Sequence, residues 1–284
     1  MNGYATTVQG ERIGVRIETD DLLDLVGDDA TLAELQGLLD AHLLLHISPR
    51  AEMTPEAFGR LAVHLGMPPE AGADRPPDAP APLSERYPFI TDFSTPGRPP
   101  STRPPRPPSY VRTLHYDGIT AYSMQATFDS VECPANLWCD MRAAYRSLPA
   151  DLKAIVDSHH ALHGYIPDQG TALSDFPPLD RARAKRRPLR IRHPRTGEPL
   201  LYLPKNPASV IEGLPDDEGV AVLGDLWARV ESSPDSYRAH AGHNQLFVWD
   251  GLGTTHTNPS YPREAARRLW FVIIPAADPT VVAY

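Results

Sequence analysis

Leu114-His115-Tyr116-Asp117-Gly118 sets an imidazole and a carboxylate two positions apart near the middle of a 284-residue chain. Side chains alternate between faces on an extended segment, so His115 and Asp117 would share one face. Two steps along a strand span about 6.5 Å, close enough for both groups to converge on one ion. His256, far along the chain, supplies a second imidazole. Two histidines and one carboxylate hold Fe(II) while leaving three coordination positions open. Arg267 and Arg268 follow, and a guanidinium fork suits the carboxylate of a co-substrate. Iron- and 2-oxoglutarate-dependent oxygenation is the chemistry this combination points to.

Bulk properties narrow the rest. A hydrophobic content of 41% supplies a sizeable core, and a chain of this length is either one large domain, as many all-β folds are, or two small ones. The net charge of -9 argues against a dedicated nucleic-acid binder, whose surface must present a basic footprint to phosphates. Cys133 and Cys139 are too few for a disulfide framework or a four-cysteine zinc site and read as reduced thiols. The N-terminal residues lack a basic stretch followed by an apolar one, and no apolar run approaches the ~18–20 residues that cross a bilayer. The expectation is a soluble cytoplasmic protein without a membrane partner. Composition allows a homo-oligomer without indicating one.

Along the chain, Asp28 or Asp29 caps an expected helix with Leu32, Leu35, Leu38 and Leu39 on one face, and His42 to Ile47 reads as a buried strand. Thr54-Pro55-Glu56 marks a helix start: a capping oxygen, a proline at the first helical position and an acid at the positive dipole end. Residues 68–108 hold close to half of the 32 prolines, which excludes a central strand or a helix there. This stretch is either a linker or a long ordered loop over a binding face. Tyr87-Pro88-Phe89-Ile90, apolar enough to dock, favours the loop. Strands are expected at Tyr110–His115, Thr120–Phe128, Ser158–Tyr165, Leu200–Leu203, Leu246–Trp249 and Leu269–Ile274, with helices at Trp138–Leu148 and Asp217–Val230. The fold class is therefore mainly β with peripheral helices (α+β), such as a jelly roll.

Other histidines compete for a metal. Among 11 histidines a chance His-x-Asp is unremarkable, and His159-His160-x-x-His163 and His240-x-x-His243 are rival clusters, neither with a carboxylate at ligand spacing. The basic run of residues 181–192 reads first as a solvated surface, then as a lid that draws in an anionic substrate, and last as a nucleic-acid contact.

The flanking sequence decides among these. Leu114-His115-Tyr116-Asp117-Gly118 resembles the iron motif of the TauD/TfdA family of 2-oxoglutarate-dependent dioxygenases. Segments similar to later family blocks follow in order: Asn136 to Tyr145, ending at Leu148-Pro149; His193 to Tyr202; Ile211-Glu212-Gly213-Leu214; and Val248-Trp249-Asp250-Gly251 with His256, Tyr261 and Arg267-Arg268-Leu269. The likeness covers most of residues 110–275, with a weaker likeness at 10–66. It implies a double-stranded β-helix (jelly-roll) core, and the chain is expected to form a single domain, residues 1–284, to which the composition adds the proline-rich loop at about 68–108 and a candidate lid at about 165–192.

Carried over residue by residue, the resemblance implies His115, Asp117 and His256 as iron ligands. It puts Arg268, or its neighbour Arg267, on the distal carboxylate of 2-oxoglutarate. Asn136 stands where many relatives have a threonine that contacts 2-oxoglutarate. Fe(II), 2-oxoglutarate and O2 are the implied cofactors, with succinate and CO2 released. Asp117 favours hydroxylation over halogenation, since a halogenase of this class would replace that carboxylate with a small residue. Desaturation, epoxidation, cyclisation and epimerisation stay open. The taurine enzyme has a further arginine for its substrate sulfonate where this chain reads Leu269-Trp270-Phe271-Val272, so taurine is not expected. A small-molecule substrate in a specialised biosynthetic pathway is, with Tyr110, Tyr116 and Tyr122 as candidate walls. The alternatives are a non-catalytic binding protein on the same scaffold and a zinc hydrolase using the same triad.

Overall fold

Local signals start the helices where the sequence places them. In the computed structural model Asp28 Oδ1 accepts the Thr31 amide at 2.9 Å, and Thr54 Oγ1 accepts that of Ala57 at 3.2 Å ahead of Pro55. The structure describes residues 4–8, 12–72, 82–94, 109–111, 114–115, 118–128, 135–164, 178–204, 209–240, 242–258 and 266–276, with the backbone alone at 109–111, 114–115, 118–120 and 258.

The elements run β1 (Tyr4–Val8), β2 (Val15–Thr19), α1 (Leu22–Leu25), α2 (Asp29–His42), β3 (Leu44–Pro49), α3 (Pro55–His64), β4 (Thr91–Asp92), β5 (Ser109–Val111), β6 (Leu114–His115) and β7 (Gly118–Thr127). Then come β8 (Asn136–Asp140), α4 (Met141–Arg146), α5 (Ala150–Ser158), β9 (His160–His163), β10 (Lys185–Pro188), β11 (Arg190–Arg192), β12 (Pro199–Leu201) and β13 (Val210–Ile211). The chain continues through α6 (Asp216–Glu231), β14 (Ser236–Ala239), β15 (Gln245–Asp250), β16 (Thr254–Asn258) and β17 (Leu269–Pro275).

The large sheet has the order β1-β2-β3-β15-β7-β17-β4, with β6 paired to β7, and the smaller one β14-β8-β16-β5. Alternation along each strand sorts side chains into three cores. One face of the large sheet (Ile17, Ile47, Met124, Val248 and Val272) packs on α1 to α3 through Leu25, Leu35 and Phe58. The other face meets the small sheet, where Phe247 and Trp249 contact Trp138 and Tyr237. The far side of the small sheet (Leu137 and Cys139) packs on α4 to α6. The molecule is therefore sheet-rich, with helices outside both sheets.

Three expectations change. Trp138 lies in a strand rather than a helix, because every residue of Asn136–Asp140 is buried between layers; the helix begins only after Asp140, whose carboxylate accepts the Arg142 and Ala143 amides. His42 and Ser158 end helices instead of opening strands. The part of the expected lid from Lys185 onward is paired sheet, and Arg181, Arg186 and Arg190 are held by Asp216, Glu212 and Asp157. Tyr87, Phe89 and Ile90 from the proline-rich stretch dock into the helix-side core. No helix among the described residues is long and apolar enough to cross a membrane.

His46 sits between the sheets, stacked on Phe247 at 4.4 Å, its ring nitrogens within 2.7 Å of the Tyr237 hydroxyl and 2.9 Å of Gln245 Oε1. Burial pushes its pKa down to about 4, against a weaker upward pull from the Gln245 bond. The unfolded chain binds this proton below about pH 6.5 while the folded chain refuses it until about pH 4. Stability is then full above pH 6.5 and lost as pH falls through that window, by about 2 kcal/mol between pH 7 and pH 5. Urea titrations at the two values, compared with His46→Gln, check this; an equal loss in the variant assigns the effect elsewhere.

Candidate active site

Register decides which side chains meet. His256 on β16 lies opposite Trp138 on β8, and Trp138 opposite Tyr237 on β14, so all three share the inter-sheet face. Asn136, two residues before Trp138, lies on that same face. On β15, Leu246 and Val248 enter the helix-side core while Phe247 and Trp249 point the other way. On β17, Trp270, Val272 and Ile274 enter the helix-side core, whereas Phe271 packs on the inter-sheet cluster.

The same alternation separates the two arginines. Arg268 shares the parity of Trp270: its guanidinium lies 4.4 Å over the Phe128 ring and pairs with Glu52, on the helix side of the large sheet. Arg267 is half-buried and shares the parity of Phe271, toward the space between the sheets. The neighbour favoured from sequence is thus the one turned away from His256.

His256 is only 7% exposed, its ring 4.9 Å from that of Trp249 and 6.5 Å from that of Trp138. Asn136 is buried, and its Nδ2 has no hydrogen-bond partner among the described residues; the same holds for the indole nitrogens of Trp138 and Trp249. A buried donor without an acceptor is costly, by about 1–3 kcal/mol. An oxygen-rich ligand between the sheets would relieve that for Asn136. An imidazole, an unsatisfied amide donor and a guanidinium on one face fit an iron ion with a dicarboxylate co-substrate.

The remaining candidates fall as follows. His115 closes β6, opposite Gly118 of β7, and Val111 on β5 lies opposite His256. Four residues reach at most ~14 Å, so the backbone brings His115 to the neighbourhood of His256. The expected strand ends at His115; Tyr116, Asp117 and Tyr261 lie outside the described residues, as does the side chain of Tyr110. Tyr122 is corrected as a substrate wall. It is buried in the helix-side core, its hydroxyl bonded to Gln36 and its ring under Arg195, because its position on β7 points away from His256. Burial, more than its charged neighbours, raises its pKa. Among the described residues no three His, Cys, Asp or Glu side chains form a metal-binding group, the rival histidine clusters included.

One group of residues carried no role in the sequence reading. Asp250 ends β15, fully buried. Its Oδ1 accepts the amides of Leu252 at 2.8 Å and Gly253 at 2.6 Å, and its Oδ2 accepts His193 Nε2 at 2.9 Å and the Arg195 guanidinium. Burial alone would raise the Asp250 pKa, but the His193 bond and charge, Arg195 and the Gly253 amide outweigh it and hold the group at about 2. Arg195 also binds Asp40 at 2.7 Å, and Arg142 binds the Asp40 and Ala41 carbonyls. Gly253 admits no side chain: a Cβ there would come within 2.4 Å of Leu43. This lattice fixes the turn that launches β16, three residues before His256. His193 and Asp250 both stood in the quoted sequence blocks, yet nothing local to either signals their partnership.

Comparison with known proteins gives the following. The model of a family described as taurine catabolism dioxygenase TauD, TfdA family matches residues 7–272. An alpha-ketoglutarate-dependent 2,4-dichlorophenoxyacetate dioxygenase of Cupriavidus pinatubonensis is 32% identical over 139 residues, 46% of this chain and 47% of that protein. Pentalenolactone F synthase of Streptomyces avermitilis is 28% identical over 159 residues, 50% of this chain and 52% of that one. The chain thus spans about half the length of the curated relatives it matches. Among solved structures, a taurine dioxygenase from Burkholderia xenovorans superposes with a TM-score of 0.74 at 20% identity, covering 98% of this chain and 91% of the other. AAD-2 in complex with Mn(II) and N-oxalylglycine gives 0.73 at 18%, covering 98% and 99%. At these identities the structural likeness speaks for the fold alone.

Proposed function

This chain belongs to the TauD/TfdA dioxygenase family, and from that premise we propose that it is an Fe(II)- and 2-oxoglutarate-dependent dioxygenase of a small molecule. The reaction we assign is hydroxylation of a C–H bond, with release of succinate and CO2. The observation that supports this reading is the inter-sheet face itself, onto which strand alternation assigns His256, the unsatisfied amide of Asn136 and Arg267. The facing sheets are read as a double-stranded β-helix with the site at one mouth. The curated relative named as an alpha-ketoglutarate-dependent dioxygenase supports the reaction class, and the one named pentalenolactone F synthase supports a role in biosynthesis.

In this reading His115, Asp117 and His256 hold Fe(II), which when bound activates O2 for oxidative decarboxylation of 2-oxoglutarate and oxidation of the substrate. The chain's own residues do the rest. Trp249 and Trp138 flank His256, limit rotation of its imidazole and keep water from its inner side. The Asn136 amide donates to a co-substrate oxygen, ending its buried isolation. Arg267 takes the distal carboxylate, where a planar fork matches two oxygens as an ammonium does not. The lattice around Asp250 holds the turn ahead of β16 so that these groups keep their spacing.

Anaerobic addition of Fe(II) and 2-oxoglutarate is expected to give the weak metal-to-ligand absorption band of the chelate. His256→Ala is expected to remove it. A folded, iron-loaded protein without the band would sink the assignment.

A further inference from the structure

Aromatic rings form a continuous run from the imidazole of His256 to solvent. Trp249 lies 4.9 Å from His256, Phe271 lies 6.2 Å from Trp249, and Phe93 meets Phe271 edge to face at 6.0 Å. Trp249 is fully buried, Phe271 half-buried, and Phe93 is 52% exposed. Phe93 stands just past β4, its amide bonded to the Leu269 carbonyl at 2.9 Å, so the sheet backbone fixes it.

Among the described residues, the strand neighbours of Phe271 on its own face carry no charge from Leu269 onward. On the inter-sheet face, β4 contributes Thr91, β7 contributes Ser123, Gln125 and Thr127, and β17 contributes Leu269 and Ile273 around Phe271. The ionic residues nearby, Asp92 and Arg268, alternate onto the opposite face. Arg267 is already engaged by the co-substrate in the reading above. A carboxylate or sulfonate entering along this wall would shed water without finding a counter-charge among the described strand neighbours. An uncharged apolar ring would instead bury area against this run of rings.

We propose that the wall Phe93–Phe271–Trp249 binds the substrate through an uncharged apolar group of ring size, with Phe271 the specificity-determining residue. This rests on the dioxygenase reading, since it takes His256 as the end of the run where oxidation occurs. The reacting C–H bond then belongs to, or neighbours, an apolar ring system, and any anionic group of the substrate points away from this wall.

Two matched probes test it: 2-naphthol and naphthalene-2-sulfonate, the same ring without and with a fixed negative charge. Binding to the anaerobic protein loaded with Fe(II) and 2-oxoglutarate is measured by equilibrium dialysis, alongside quenching of tryptophan fluorescence. The intact chain is expected to bind 2-naphthol at least tenfold more tightly than the sulfonate. Phe271→Leu should weaken 2-naphthol several-fold and Phe271→Ala tenfold or more. Phe271→Arg should reverse the preference toward the sulfonate. The affinity of each variant for 2-oxoglutarate serves as the check on folding. No 2-naphthol binding, equal or tighter sulfonate binding by the intact chain, or full 2-naphthol affinity in a folded Phe271→Ala protein would each overturn the proposal. Failure of the chelate band would instead remove the dioxygenase reading, while dialysis against iron-free protein would still report the preference of the wall.

Discussion

Asp250→Ala is expected to lower the free energy of unfolding by about 3–5 kcal/mol, the range for breaking a buried ion pair from one side. The carboxylate accepts four hydrogen bonds in a site without solvent, two from turn amides and two from His193 and Arg195. Its removal strands the two turn amides and His193 Nε2 and leaves the partly exposed Arg195 charge with Asp40 as its remaining ion-pair partner. A domain of ordinary stability has about 5–15 kcal/mol in total, so the variant falls near the edge of folding. Asp250→Asn keeps an acceptor for the turn but surrenders the charge, and should lose less. Urea midpoints for both, at unchanged slope, measure the difference. A loss below about 1 kcal/mol in the alanine variant would show that the turn is held by other means.

Arg267→Ala is expected to raise the dissociation constant for 2-oxoglutarate by about 100-fold or more, while Arg268→Ala changes it by no more than a few-fold. A hydrogen bond to a charged group contributes about 1.5–3 kcal/mol, and a bidentate pair near the upper end corresponds to a factor above 100. The contrast rests on strand alternation: Arg268 lies over Phe128 and pairs with Glu52, a surface arrangement whose ion pair contributes about 1 kcal/mol or less. Calorimetric titration of 2-oxoglutarate into the Fe(II)-loaded variants reads both. A reversed order would place the co-substrate on the helix side of the large sheet and refute the face assignment.

These two residues also mark where sequence stops being readable. The starts of α2 and α3 were plain in advance because a capping side chain bonds an amide three positions away. The segment Asn136–Asp140 was misread because continuous burial leaves a strand without the alternation that would identify it. The ordered family blocks pointed to His115, Asp117 and His256 as a set. Whether Arg267 or Arg268 faces His256 depends on how β17 registers against β7, a fact written in neither arginine's surroundings. Likewise the bond between His193 and Asp250 joins residues 57 positions apart, and neither is informative until the fold brings them together.

The position of β15 has a consequence for how the protein is made. It lies in the middle of the large sheet, hydrogen-bonded to β3 on one side and β7 on the other. Two hundred residues separate it from β3, and the strand that completes the opposite flank, β17, is translated later still. While a ribosome is still extending the chain, the apolar backs of β2, β3 and β7 have no centre to close on, and the helices before β4 cover only part of them. Long-range pairing of this kind is slow and leaves unpaired edges open to aggregation. Nascent chains halted before residue 245 should therefore depend on chaperones, and protease resistance should appear only once both β15 and β17 have left the ribosome.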